Sequence, residues 1–86
     1  LNPSDWQPHY RLASDLAQQG NMPDAATEYE AAVRLNPENV KAKLGLAVAL
    51  LNLGRQAEAL QQLDEVLSLD PTNRTALETL RKIRGR

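Results

Sequence analysis

The 86-residue chain has no cysteine and no phenylalanine. Without cysteine there can be no disulfide, no thiolate metal site and no cysteine nucleophile, and no redox compartment is marked. Aromatic residues are scarce, one Trp and two Tyr, while alanine and leucine abound, which favours helices over sheets. The longest apolar run, residues 46–51, is far shorter than the roughly 20 residues that a membrane-spanning helix needs. No basic-then-apolar signal peptide opens the sequence, and the cytoplasm is the default expectation. No glycine-rich loop follows a strand, so no phosphate cradle is expected.

The length allows a single domain, one that buries roughly 60 % of the surface its unfolded form exposes. Net charge is close to zero but uneven. Residues 1–70 carry five basic and ten acidic side chains, whereas residues 71–86 carry Arg74, Arg81, Lys82, Arg84 and Arg86 against Glu78 alone. A basic end can suggest nucleic acid or an acidic membrane. Cations in a last helical turn also offset the helix dipole, and that accounts for these without either partner.

An internal repeat dominates what is present. Leu35-Asn36-Pro37-Glu38-Asn39 returns as Leu69-Asp70-Pro71-Thr72-Asn73, an offset of 34 residues. In the same register Leu12 matches Leu46, Ala13 matches Ala47, Leu16 matches Leu50, Gly20 matches Gly54 and Ala25 matches Ala59. The repeats are residues 6–39 and 40–73, followed by an incomplete third. Each reads as two helices. In the first, Ser4 or Asp5 can cap the start, Pro8 suits an opening turn, Leu12, Ala13 and Leu16 form an apolar stripe, and Gly20 stops the helix in a left-handed conformation. Pro23 and Asp24 open the next, Ala25, Tyr29, Ala32 and Val33 keep helical spacing, and Pro37 ends it. The second repeat follows suit: Asn39 caps, Gly54 stops, Ala59, Leu60, Leu63, Val66 and Leu67 pack, and Pro71 breaks. Residues 74–84 read as a capping helix, with Ala76, Leu77, Leu80 and Ile83 on one side and Thr75, Glu78, Thr79 and Lys82 on the other.

These positions resemble the tetratricopeptide repeat family. Leu12-Ala13 and Leu46-Ala47 supply its Leu-small pair, Gly20 and Gly54 its turn glycine, Ala25 and Ala59 its crossing alanine, and Pro37 and Pro71 its closing proline. Tyr29 fills the aromatic position of the second helix, where Leu63 stands in the next repeat. The family's first-helix Trp position holds His9 and Lys43 instead, and its late small residue is Val66 in repeat two. The resemblance implies an all-α fold, an antiparallel helix-pair right-handed solenoid of five helices.

Neighbouring repeats should touch through the back of each first helix. In repeat two that back is Ala42, Ala49 and Leu53; in repeat one it is Pro8, Asp15 and Gln19. A carboxylate rarely sits in such a contact, yet Leu1-Asn2-Pro3 reads like the tail of an earlier repeat. The chain is therefore expected to be a piece of a longer protein, taken close to where its array begins, with Trp6 covering the open end.

His9, Ser14 and Asp15 contain the letters of a hydrolase triad. On a helix His9 and Ser14 point about 140° apart, out of the reach that a nucleophile and its base require, so His9 is expected to be a lone exposed histidine. Asp64, Glu65, Glu28 and Glu30 fall on faces expected to be solvated. No enzyme, metal or cofactor is expected.

The concave surface is what remains. The resemblance places Gln7, Tyr10, Arg11, Ser14 and Gln18, then Lys41, Leu44, Gly45, Val48 and Asn52, along a groove for a protein or peptide ligand. Thr75, Glu78, Thr79 and Lys82 would close its far side. Leu44 and Val48 stand away from Leu46, Ala47 and Leu50, so packing inside the repeat does not account for them, and exposed apolar residues mark contact surfaces. Gly45 either lets a ligand backbone approach the floor or eases packing against a neighbouring helix. Some family members clamp a carboxylate with Lys and Asn. Those places hold Tyr10, Ser14, Gly45 and Thr75 here, with charge only at Arg11, Lys41 and Lys82, so that type of ligand is disfavoured. The expected role is a non-enzymatic protein-interaction scaffold. The alternative is homotypic assembly, because two repeats are few for a stable stack.

Overall fold

The computed structural model describes residues 5–85; the Leu1-Asn2-Pro3 phrase and the capping expectation for Ser4 lie outside them. The described residues form five helices, α1 (Gln7–Gln18), α2 (Met22–Leu35), α3 (Val40–Asn52), α4 (Gln56–Leu69) and α5 (Arg74–Arg84), with no strand among them. α1 pairs with α2 and α3 with α4, α2 packs on α3, and α5 lies on α4 by a smaller contact. The stack is elongated, 43 × 27 × 18 Å.

The chain bends by two devices, each used twice. Gly20 and Gly54 take φ of +83° and +79°, which L side chains rarely adopt. Behind them Asn21 N donates to Leu16 O at 2.8 Å and Arg55 N to Leu50 O at 2.9 Å, so the last carbonyls of α1 and α3 are satisfied. The second device is the proline phrase. Asn36 and Asp70 both leave the helix at φ −141°, ψ 84°, and Asn39 N and Asn73 N each donate back across the proline at 3.0 Å. The same asparagines then cap the next helices: Asn39 Oδ1 accepts from Ala42 N at 3.1 Å and Asn73 Oδ1 from Ala76 N at 2.9 Å. α1 opens without a side-chain cap on Trp6, although Asp5 Oδ1 accepts from Gln7 N at 3.1 Å.

Two apolar cores run through the stack. The first joins Ala13, Ala25, Ala26 and Tyr29 to Leu46, Ala49, Leu50 and Ala59, with Tyr10, Leu16, Met22, Val33 and Leu53 around it. Leu46, Leu50 and Ala59 thus tie the second hairpin to the first as well as closing their own. The second core holds Ala47, Leu63, Val66, Ala76 and Leu80, flanked by Val40, Leu44, Leu60, Leu67 and Ile83. Alanine at the crossings lets the helix axes approach closely.

Several expectations are corrected here. Leu12 and Leu77, read as core-facing, are 48 % and 47 % exposed. On α1 the inward positions are Ala13, Leu16 and Ala17, and on α5 they are Ala76, Leu80 and Ile83. His9 is not alone: its Nδ1 lies 2.8 Å from Glu28 Oε1 on α2. One repeat later, Lys43 is 5 % exposed and its Nζ donates to Glu65 on α4. Both residues at the family's Trp position are therefore basic groups that reach a glutamate of the second helix. Glu28 is consequently a hydrogen-bond partner and Glu65 an ion-pair partner, and neither is a free carboxylate.

Candidate functional site

The first helices of the two hairpins, α1 and α3, lie side by side and leave a groove between them. Its central cleft, about 290 Å³, is lined by Tyr10 and Ala17 of α1, Met22 and Tyr29 of α2, and Lys41, Leu44, Gly45, Val48 and Ala49 of α3. Five of the candidate residues, Tyr10, Lys41, Leu44, Gly45 and Val48, meet here. A second recess of about 340 Å³ continues from it across Trp6, Gln7, Tyr10, Arg11, Ser14, Asp15 and Lys41. Tyr10 and Lys41 belong to both, so the two form one surface with an apolar floor, cationic groups at Lys41 and Arg11, and the Asp15 carboxylate at its edge.

The floor is built on an aromatic ladder. Trp6 meets Tyr10 edge to face with ring centres 5.9 Å apart, and Tyr10 meets Tyr29 in the same way at 5.8 Å, a geometry aromatic quadrupoles favour. Trp6 is half-buried in this ladder and lines the recess, so its place is the groove edge, beyond the end-covering role expected of it. Burial pushes the Tyr29 hydroxyl above its ordinary pKa; the neighbouring Tyr10 adds to the shift, and a hydrogen bond with Ser14 opposes it.

Gly45 has a local explanation. A Cβ at that position would fall 2.4 Å from Tyr29 Cε1 and 2.5 Å from Cζ, closer than atoms approach without displacement. Of the two uses weighed for this glycine, the contact with a neighbouring helix is the one observed. Leu44 is likewise partly accounted for, since it packs against the second core. Val48 stays 43 % exposed at the cleft, with no such duty.

The other candidates are spread more widely. Gln18 and Asn52 are exposed, and Asn52 Nδ2 donates to Val48 O of its own helix at 3.0 Å. Thr79 and Lys82 line a separate recess of about 290 Å³ with Leu51, Gln56 and Ile83. Thr75 and Glu78 are exposed on α5, where Thr79 Oγ1 donates to Thr75 O at 2.7 Å and Glu78 faces Arg74 at 4.0 Å. Ala17, Met22, Tyr29 and Ala49 line the cleft and were missed. Met22 and Tyr29 come from α2, and only the depth of the gap between first helices brings them to the floor.

No group of three or more His, Asp or Glu among the described residues is arranged to hold a metal ion, and no helix among them is long and apolar enough to cross a membrane. Comparison with known proteins agrees with the architecture. The family described as tetratricopeptide repeat matches residues 10–74. The chain is similar to the peroxisomal targeting signal receptor of Saccharomyces cerevisiae, 36 % identical over 73 residues, which are 85 % of this chain and 12 % of that protein. The receptor of the same name from Kluyveromyces lactis is 35 % identical over 72 residues, 83 % of this chain and 13 % of the relative. That of Candida glabrata is 35 % identical over 69 residues, 80 % and 12 % respectively. The chain thus spans about one eighth of the length of these relatives. Helix pairs and family match agree on a stack of tetratricopeptide repeats. The chain belongs to the tetratricopeptide repeat family.

Proposed function

We propose that the α1–α3 groove binds a short segment of a partner protein, seated by an apolar anchor at Val48 and Tyr10 and oriented by an acidic group near Lys41 and Arg11. The observation that carries this is the cleft itself: an apolar floor open to solvent, an exposed valine within it, and cations beside it. An aromatic side chain framed by apolar and cationic neighbours is the usual make-up of a binding hot spot, and charge at the rim governs orientation and on-rate. The relatives are named as receptors for a targeting signal, which supports a ligand of the same general kind, a recognition segment carried by another protein.

Val48→Glu is the discriminating variant, because Val48 is exposed and belongs to neither apolar core. Peptides selected on the immobilised domain would be labelled and titrated by fluorescence anisotropy. The substitution is expected to weaken binding at least tenfold while the thermal melt stays in place. Unchanged affinity would refute the groove. Leu44 is the poorer probe, since its loss also opens the second core.

A further inference from the structure

The repeat register carries the groove one step beyond its central cleft. Thr79 and Lys82 line the α5 recess with Leu51, Gln56 and Ile83, where α3, α4 and α5 meet. Moved back by the 34-residue period, these five become Gly45, Val48, Ala17, Met22 and Ala49, and every one of those lines the central cleft. Each hollow measures about 290 Å³, so the same hollow is built twice. α3, α4 and α5 stand in the recess where α1, α2 and α3 stand in the cleft. Each helix that forms the cleft therefore has its counterpart in the recess.

The chemistry of the two differs. Lys82 takes the place of Val48, Thr79 that of Gly45 and Gln56 that of Met22, while Leu51 and Ile83 keep the walls of the recess apolar. Neither lining contains a carboxylate, and each contains one lysine, Lys41 in the cleft and Lys82 in the recess. Among the described residues Lys82 has no ion-pair partner. Glu78, one turn before it on α5, does not line the recess and faces Arg74 instead. The Thr79 hydroxyl already donates within α5, which leaves the Lys82 ammonium and the Gln56 amide as the donors of the recess.

We propose that one partner segment spans both hollows, with an apolar side chain against Val48 in the cleft and an acidic side chain at Lys82 in the recess. This rests on the groove reading above and adds to it the class of ligand, an acidic peptide with an apolar anchor. Across the whole lined surface Arg11, Lys41 and Lys82 stand against Asp15 alone, and a positive balance of this kind selects acidic partners and sets their orientation. Side-by-side helices stand about 10 Å apart, which places the two hollows at about that separation. An extended chain covers it in about three residues.

End-blocked random decapeptides selected on the immobilised 86-residue chain, then labelled and titrated by fluorescence anisotropy at low ionic strength, test this. The retained peptides are expected to carry Asp or Glu about three residues from an apolar side chain. Lys82→Glu, at an exposed position, is expected to weaken them by about fivefold or more with the thermal melt in place, an effect that about 0.5 M salt should shrink. A peptide whose acid is replaced by lysine is expected to prefer Lys82→Glu to the parent. Peptides without an acidic preference, or with affinity that Lys82→Glu leaves unchanged, overturn the second subsite, while Val48→Glu still reports separately on the cleft. Self-association of the parent without peptide that Lys82→Glu abolishes would make a second copy the occupant and overturn it too. A parent that retains no peptide refutes the groove reading along with this one.

Discussion

At the scale of the residue, Gly45 and Tyr29 decide the shape of the groove together. The ring of Tyr29 occupies the space a Cβ at Gly45 would need, and it is held on its other side by Tyr10. Gly45→Ala must therefore move a tethered ring. The expected overpacking cost of about 1–3 kcal/mol exceeds the helix-propensity gain of about 1 kcal/mol, so the melting temperature should fall; a rise would show that the ring swings aside freely. The same tyrosine makes stability depend on alkali. Its folded pKa lies above the unfolded value, so its contribution is complete below about pH 10 and is lost as pH rises through the folded pKa. Denaturant titrations of the parent and of Tyr29→Phe from pH 8 to 12 should show the parent losing stability relative to the variant at the alkaline end. Parallel curves would contradict the assignment.

At the scale of the element, the sequence was legible wherever one residue type satisfies one backbone requirement. The turn glycines reveal where α1 and α3 end, the closing prolines where α2 and α4 end, and the asparagine caps where α3 and α5 begin, because each supplies a φ angle, removes a donor or accepts a hydrogen bond. Faces were harder to read. Leu12 and Leu77 share helical spacing with core positions, but their repeat-mates are buried only because another helix lies over them, and none does so here among the described residues. His9 read as a lone exposed base and the burial of Lys43 was not foreseen, since their partners Glu28 and Glu65 lie on another helix and no local pattern announces that pairing. Leu44 was separated from the core by its angle on α3, yet α5 brings the second core round to it. The crossing of α3 and α4 gives the sharpest check on the layout. Ala59 is fully buried, and Ala59→Leu should cost about 1–3 kcal/mol, or about 4–8 °C in melting temperature per kcal/mol for a domain of this size. A melt that does not shift would mean the helices do not meet at that alanine.

At the scale of the whole molecule, each helix mainly touches its neighbours in sequence, so stability is close to a sum of local contacts. α5 has the smallest of these contacts and is the element expected to open first. The aromatic ladder bears on how that opening would be seen. Trp6, Tyr10 and Tyr29 are all the aromatic side chains the chain has, and they stand in one line on α1 and α2. Near-ultraviolet absorbance and intrinsic emission therefore report on the first hairpin alone, while α3, α4 and α5 are optically silent except for their peptide bonds. On heating, far-ultraviolet ellipticity should begin to fall before tryptophan emission shifts. Coincident curves would instead mark the chain as a single cooperative unit, and the one-sided placement of its chromophores is what makes the two cases distinguishable without any added label.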